Sequence, residues 1–278
     1  MRGKNKKERE EKPISKAIIL YDFLLVKGGA ESLTLTLCEA VHELDLCIGF
    51  IDTKSFPLLP LPDKRVMTLC NPTHLSGWQT LKLANAFERK AVCLSHYDKV
   101  IYSGANAPLA IKQRGAYGNI LYCHTPPRFI YDLKAHYLST IPVWQRLLLK
   151  GLIAYMQPRY DSAVAKMDLI IANSINVQQR IKQYLDKESI VIYPPCHVDK
   201  YQWLSQGDYY LSTARAEPYK RIQLLIEAFI LMPNRKLVVT SGGSQLEALK
   251  QLAKGYDNIR FTGWCDDQRF GQLPRFIS

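Results

Sequence analysis

The sequence predicts an α/β protein made of two doubly wound units, each a parallel sheet covered by helices. Three observations predict it. From Ala17 onward, β runs alternate with helical runs, the pattern of strand–helix–strand units. The strand runs are apolar throughout, as in Ala17 to Tyr21 (AIILY), which suits strands buried on both faces. The alternation lapses between His197 and Asp208 and then restarts, so a linker divides residues 16–203 from residues 204–278. Residues 1–15 read as a charged leader.

In the first unit, Ala17 to Tyr21 is the opening strand, Asp22 to Lys27 its loop, and Gly28–Gly29 the entry to a helix. That helix places Leu33, Leu37, Ala40, Val41 and Leu44 on one face. Leu46 to Ile51 and Val66 to Leu69 follow as strands, with a proline-punctuated turn from Pro57 to Pro62 between them. Gly77 to Ala91 is helical. Lys99 to Tyr102 and Asn119 to Cys123 (NILYC) are strands, and His124 stands just past the second. Ile141 to Lys166 is largely helical, with a bend expected at Pro158. Leu169 to Ala172 is a strand, Ser174 caps the next helix, and that helix sets Val177, Ile181, Tyr184 and Leu185 on one side. Ile190 to Tyr193 is a strand stopped by Pro194–Pro195.

The second unit opens with Tyr209 to Phe229, YYLSTARAEPYKRIQLLIEAF. A strand from Tyr209 to Thr213 leads to a helix over 219–231, with Ile222, Leu225, Ile226 and Phe229 as its apolar stripe. Pro218 falls near the first helical turn, where its missing N–H costs least. Leu237 to Ser241 and Asn258 to Thr262 are strands, with a helix from Gln245 to Leu252 between them. Three strands in about seventy residues make roughly half of a nucleotide-binding domain, so this unit reads as incomplete.

Composition narrows the function classes. With 47% hydrophobic and 22% charged residues in 278, the chain can bury substantial cores. No apolar run approaches the ~20 residues of a membrane-spanning helix, and the leader lacks the apolar core of a signal peptide. The net charge of +12 is spread along the chain and accompanies no recognised nucleic-acid motif. An even basic surface suits anionic small molecules or an anionic membrane face. The seven cysteines form no C-x-x-C pair and no zinc spacing. They read as free thiols in a reducing cytosol.

In open α/β sheets, ligands bind beyond the carboxyl ends of the strands. Gly28–Gly29 lies at such an end, at a helix N-terminus that favours an anion. It lacks the G-x-G-x-x-G spacing, and a plain βα turn reads the residues as well. His124 follows the NILYC strand, stiffened by Pro126 and Pro127, where it can donate to or orient a substrate group. Arg128 and Asp132 either join that mouth or are surface charges. In the second unit, Arg215 and Lys220 bring two cations to a helix N-terminus just past a strand, a receiver for a diphosphate. Gly242–Gly243, between Ser241 and Ser244, and the strand carrying Arg260 offer contacts to a nucleoside, or are an ordinary turn and strand. Lys134, Arg146, Lys150 and Arg159 with Trp144 and Tyr155 form either a basic-aromatic surface for a membrane face or the solvated side of a helix. No D-x-D, G-x-S-x-G or G-x-x-x-x-G-K-[ST] motif is present.

Five segments occur in order: KGGAESL (27–33), YCHTPPRFIYD (122–132), LIIANSINVQQRI (169–181), VIYPPCHVDKY (191–201) and STARAEPYKRIQLLIEAF (212–229). Together they resemble glycosyltransferase family 4, retaining enzymes of the GT-B fold with two Rossmann-like units. YCHTPPRFIYD is similar to polysaccharide and O-antigen mannosyltransferases, which suggests GDP-mannose.

The resemblance implies a metal-independent hexosyltransferase of polysaccharide or cell-envelope biosynthesis. It would need no cofactor and would act in the cytoplasm or at the inner membrane surface. Its partners would be a nucleotide sugar and a glycan or lipid-linked acceptor, not nucleic acid. Gly28 and Gly29 would lie against the donor diphosphate, with Arg215 and Lys220 clamping it. His124 would contact the transferred sugar, and Gly242, Gly243 and Arg260 would lie near the nucleoside. Arg128 and Asp132 would stand on the acceptor side. The family's glutamate pair, E-x7-E, and its returning C-terminal helix fall beyond Ser278, which implies C-terminal truncation. That leaves a second reading, an inactive remnant that only binds a ligand or a membrane surface.

Overall fold

The computed structural model describes residues 17–263, apart from 27, 60, 62–64, 74–75, 114–117, 197, 199–205 and 241. The chain divides into two compact units, Met1–Pro195 and Cys196–Ser278. The expected strand from Leu237 to Ser241 therefore ends on a residue outside the description, as do Lys27 and the segment after Gly263.

The first unit holds a parallel seven-stranded sheet: β1 (Ala17–Leu24), β2 (Leu44–Ile51), β3 (Val66–Thr68), β4 (Lys99–Ser103), β5 (Asn119–Cys123), β6 (Leu169–Ala172) and β7 (Ile190–Val191). Its spatial order is β3-β2-β1-β4-β5-β6-β7. The order reverses between β1 and β4, so the topological switch, where such sheets take ligands, lies at the carboxyl ends of those two strands. Side chains of β1 alternate between two cores, as a period of two requires. Ile18 and Leu20 pack with Leu83, Phe87, Met156 and Tyr160, whereas Ile19 and Tyr21 pack with Cys38, Leu46 and Ile48. Burial on both sides is why this strand carries no solvent-facing polar position before Asp22.

The helices are α1 (Gly29–Ala40), α2 (Ser76–Lys90), α3 (Lys134–Thr140), α4 (Val143–Val164) and α5 (Ile175–Leu185). Short 3-10 segments at Val92–His96 and Ala107–Gln113 escaped the periodicity, because they are too brief to show one. Ser174 caps α5 as expected, its Oγ accepting from Val177 N–H at 3.3 Å. Val177 and Ile181 are buried, with Leu185 packed against the same core.

Two local expectations need correction. β1 runs on through Asp22 to Leu24, so Asp22 is a buried strand residue and not the start of a loop. In α1, Ala40 and Val41 are exposed and Leu44 belongs to β2. The buried positions of that helix are Glu31, Leu33, Thr34 and Cys38, one turn closer to its N-terminus. The helix expected over Ile141 to Lys166 is α4, with Pro142 as its N-cap and Pro158 inside it; α3, just before it, had not been expected.

The second unit holds β8 (Tyr209–Ser212), β9 (Lys236–Val239) and β10 (Ile259–Phe261), parallel in the order β10-β9-β8. Helices α6 (Ile222–Ile230) and α7 (Leu246–Leu252) connect them. The apolar stripe of α6 is as expected: Ile222, Ile226 and Phe229 are buried against Leu237, Val239 and Ile259, with Leu225 packed beside them. The helix expected over 219–231 starts later. Pro218–Lys220 is a separate 3-10 turn, and Arg221, at φ 54°, ψ 36°, breaks the chain before α6 begins. Among the described residues, no helix is long and apolar enough to cross a membrane.

Candidate functional site

In the first unit, the carboxyl ends of β1, β4 and β5 meet on one rung of the sheet. Tyr21 is in register with Ser103, and Ser103 with Tyr122. His124 stands two residues past Tyr122, beyond the last strand residue Cys123. Its Nε2 is 2.8 Å from Ser103 Oγ. Its ring also meets those of Tyr122 and Tyr21 edge-on, with centroids 5.3 and 6.3 Å away. Burial among these groups lowers the imidazole from its usual 6.5 to about 4. His124 is therefore neutral at physiological pH, able to offer one ring nitrogen as donor or acceptor to a bound group.

Asp22, the next residue on β1, fills the switch point itself. Its carboxylate accepts from the backbone N–H groups of Ala105, Asn106 and Ala107 at 2.8 to 3.0 Å and from Asn106 Nδ2 at 3.1 Å. These donors open the 3-10 segment after β4, so the chain's own anion occupies that nest. Burial raises the Asp22 carboxyl above its ordinary value, and the donors pull against that rise. Gly104 is required beside it: φ is +140°, and a Cβ would come within 2.4 Å of Asp22 Oδ1.

The anion-binding geometry left over at this edge is the N-terminus of α1. Gly28 is its N-cap, with no side-chain cap of its own. A Cβ on Gly28 would meet Glu31 Oε2 at 2.6 Å, whereas one on Gly29 would meet nothing within 4 Å. Packing thus leaves Gly29 open, where a ligand can reach the backbone. Glu31, in the first turn of α1, is buried and hydrogen-bonded to the Tyr21 hydroxyl. Desolvation and that carboxylate push the Tyr21 phenol far up. The sequence reading missed Tyr21, Asp22, Glu31 and Ser103. Glu31 had a signal, an acidic residue in the KGGAE run at a helix start.

Arg128 and Asp132 lie on the segment after His124 and are paired. Arg128 donates from Nε and Nη2 to Asp132 Oδ2 at 3.1 and 3.0 Å. Arg180 of α5 approaches the other oxygen at 2.7 Å. Arg180 carried no motif in the sequence, and only the packing of α5 brings it here.

In the second unit, the loops after β8 and β9 are laced together. Ala216 N–H donates to Gly242 O, and Gln245 N–H donates to Ala216 O, both at 2.9 Å. Glu217 accepts from Ser244 N–H at 3.1 Å and from its hydroxyl at 2.7 Å. Gly243 is pressed against this turn, since a Cβ there would lie 2.5 Å from Ala216 O, whereas a Cβ on Gly242 would meet nothing within 4 Å. Arg215 donates from Nη2 to the Tyr219 hydroxyl at 2.8 Å. Lys220 Nζ sits 5.4 Å from the centre of the same ring. The two cations singled out from sequence thus converge on Tyr219, beside the glycine loop and at the carboxyl end of the sheet. Arg260 lies in the middle of the edge strand β10.

No protein-family model and no curated protein matches the chain. Solved structures do. Anabaena Alr3699/HepE in complex with UDP has a TM-score of 0.62 at 17% identity, over 94% of this chain and 71% of that one. Its complex with UDP-glucose gives 0.61 at 16% identity, with the same coverage. WaaG, a glycosyltransferase involved in lipopolysaccharide biosynthesis, gives 0.56 at 12%, covering 91% of this chain and 71% of WaaG. A Listeria monocytogenes protein assigned as a UDP-N-acetylglucosamine 2-epimerase gives 0.52 at 11%, covering 92% and 70%. The fold is thus α/β of the GT-B type, as the sequence predicts. A fold does not choose a reaction, so the chemistry has to be argued from the residues.

Proposed function

We propose that this protein is a glycosyltransferase, moving a hexosyl group from a nucleoside-diphosphate sugar to a hydroxyl of a glycan or lipid-linked acceptor. The observation that carries the reading is His124, a neutral imidazole at the carboxyl end of β5, held by Ser103 beside the switch point. A neutral ring can hydrogen-bond a sugar hydroxyl without adding charge to a centre that becomes cationic in the transition state. The similarity to a structure holding UDP-glucose supports the same reading.

In the proposed reaction the bond from the anomeric carbon to the diphosphate oxygen breaks, and a bond to the acceptor oxygen forms on the same face. The acceptor proton passes to the departing phosphate oxygen, so the configuration is retained. Arg215 and Lys220 hold the diphosphate and stabilise its growing charge, and the N–H groups at Gly28 and Gly29 offer an anion contact of their own. The loop at Gly242 and Gly243, with Arg260, lies against the nucleoside. Arg128 and Asp132 face the acceptor, and Arg180 fixes the Asp132 carboxylate. No metal or cofactor takes part. The YCHTPPRFIYD segment favours mannose from GDP-mannose.

The test is release of nucleoside diphosphate and formation of labelled product from GDP-mannose and from UDP-glucose, each with glycan and lipid-linked acceptors. Turnover with GDP-mannose, persisting in chelator and reduced about 100-fold or more by His124→Ala, is expected. Preference for UDP-glucose would move the donor assignment. Recovery of an epimerised sugar nucleotide with no transfer, or no nucleotide binding by calorimetry, would overturn the reading.

A further inference from the structure

Between Leu133 and Tyr160 the chain has no aspartate or glutamate, while Lys134, Arg146, Lys150 and Arg159 fall within it. This stretch folds as α3 and most of α4. The first buried residue of α4 is Ile153. Before it, Val143, Trp144, Leu147 and Leu148 are 70%, 65%, 71% and 67% exposed. Positions 143, 144, 147 and 148 form one stripe on a helix, so the solvent face of this half-helix is apolar where a surface helix is normally polar.

Topology says where the stripe lies. α4 joins the carboxyl end of β5 to the amino end of β6 in a parallel sheet, so it runs against the strands. Its amino half therefore stands at the carboxyl edge, on the side of the sheet where His124 emerges. α2 joins β3 to β4 in the same sense and brings the exposed Trp78 to that edge. Trp78, Leu81 and Lys82 line a cleft of about 430 Å³ with Tyr155, seven residues past Leu148 on the same side of α4. Arg159 is not part of the free charge, since it pairs with Glu88 and covers the Tyr155 ring. Lys134 and Lys150 are exposed.

We infer that the α3–α4 face docks on an anionic lipid bilayer, lying in the headgroup region with Val143, Trp144, Leu147 and Leu148 inserted and Lys134 and Lys150 against lipid phosphates. Trp144, Leu147, Leu148 and Lys150 on α4, with Lys134 on the preceding α3, make the combination of indole, leucine and lysine that an interfacial helix uses. Complementary charge favours this occupant: anionic lipid neutralises a stretch free of acidic groups. A second copy would instead bring like charges together, in a chain of net charge +12. Docking there would turn the His124 edge toward the bilayer, where a lipid-linked acceptor is held. The inference does not depend on the transfer reading.

The test is co-sedimentation of the full chain with phosphatidylcholine vesicles, with and without about 30 mol% phosphatidylglycerol, in the absence of any sugar nucleotide. Binding to the anionic vesicles that weakens with salt is expected. A Leu147→Glu/Leu148→Glu variant should lose at least about tenfold in partitioning, with an unchanged circular dichroism spectrum and thermal midpoint. Lys134→Gln and Lys150→Gln should each lose about fivefold on anionic vesicles. Vesicles should shift the tryptophan emission to the blue, and Trp144→Phe should remove most of that shift. Absence of binding to anionic vesicles would overturn the proposal. So would binding that ignores the glutamate substitutions, or a lipid-independent dimer that those substitutions dissociate.

Discussion

His124 Nε2 and Ser103 Oγ lie 2.8 Å apart, joining the ends of two adjacent strands whose residues are 21 positions apart in the chain. The contact orients a ring that burial keeps neutral, and the sign of its pH effect follows from that. The folded imidazole titrates at about 4 against 6.5 for the free group, so the unfolded chain binds more protons between these values. Stability from this group is complete above about pH 6.5 and is lost as pH falls toward about 4, a loss of order 3 kcal/mol. Urea unfolding across that range should show a shallower acid limb in His124→Gln than in the parent. Identical slopes would contradict the assignment.

Gly28 and Gly29 should separate packing from ligand approach. Gly29→Ala has open space around the new methyl, so stability should change by no more than about 0.5 kcal/mol. Sugar-nucleotide affinity should fall if the donor approaches there. Gly28→Ala should displace Glu31 and lower the thermal midpoint as well. Calorimetric titration alongside thermal unfolding reads both effects. A Gly29→Ala variant with unchanged donor affinity would remove this position from the diphosphate contact.

Asp22→Ala should cost about 3–5 kcal/mol, because it strands three backbone donors, two of them buried, and Asn106 Nδ2. Gly104→Ala should be destabilising for the same reason, by forcing the carboxylate away from those donors. Denaturant midpoints at neutral pH measure both. A loss below about 1 kcal/mol in Asp22→Ala would mean the nest finds other acceptors.

Lys220→Ala should remove about 2–4 kcal/mol of transition-state stabilisation, the scale of one electrostatic contact. Tyr219→Phe keeps the ring beside Lys220 and frees Arg215, so its effect on kcat/KM should be the smaller of the two. Full turnover in Lys220→Ala would refute its role as a diphosphate clamp.

In the second glycine loop the two positions should differ. Gly243→Ala drives a methyl into the Ala216 backbone and should destabilise by about 1–3 kcal/mol, while Gly242→Ala should be nearly silent in stability. Equal losses in the two variants, read by denaturant unfolding, would contradict the packing of Gly243 on Ala216.

Much of the fold was legible because its cause is local. Apolar runs such as AIILY and LIIA can only be buried strands, and the spacing of Ile222, Leu225, Ile226 and Phe229 can only present one helix face. Boundaries were less legible. Asp22 is polar and looked like a loop, but its donors come from residues 105–107, more than eighty positions away. Arg221 looked helical, and its positive φ is imposed where the 3-10 turn ends and α6 begins.

The amino-acid order by itself determined the alternation of strands and helices, the glycine and cation positions, and His124 at a strand end. These follow from side-chain period and backbone preference within a few residues. Tertiary structure alone decided that Ser103 holds His124 and that Arg180 joins Arg128 and Asp132. It also decided that the apolar half of α4 overhangs the carboxyl edge of the sheet. Such contacts join distant segments, and strand order sets them, which no local pattern encodes.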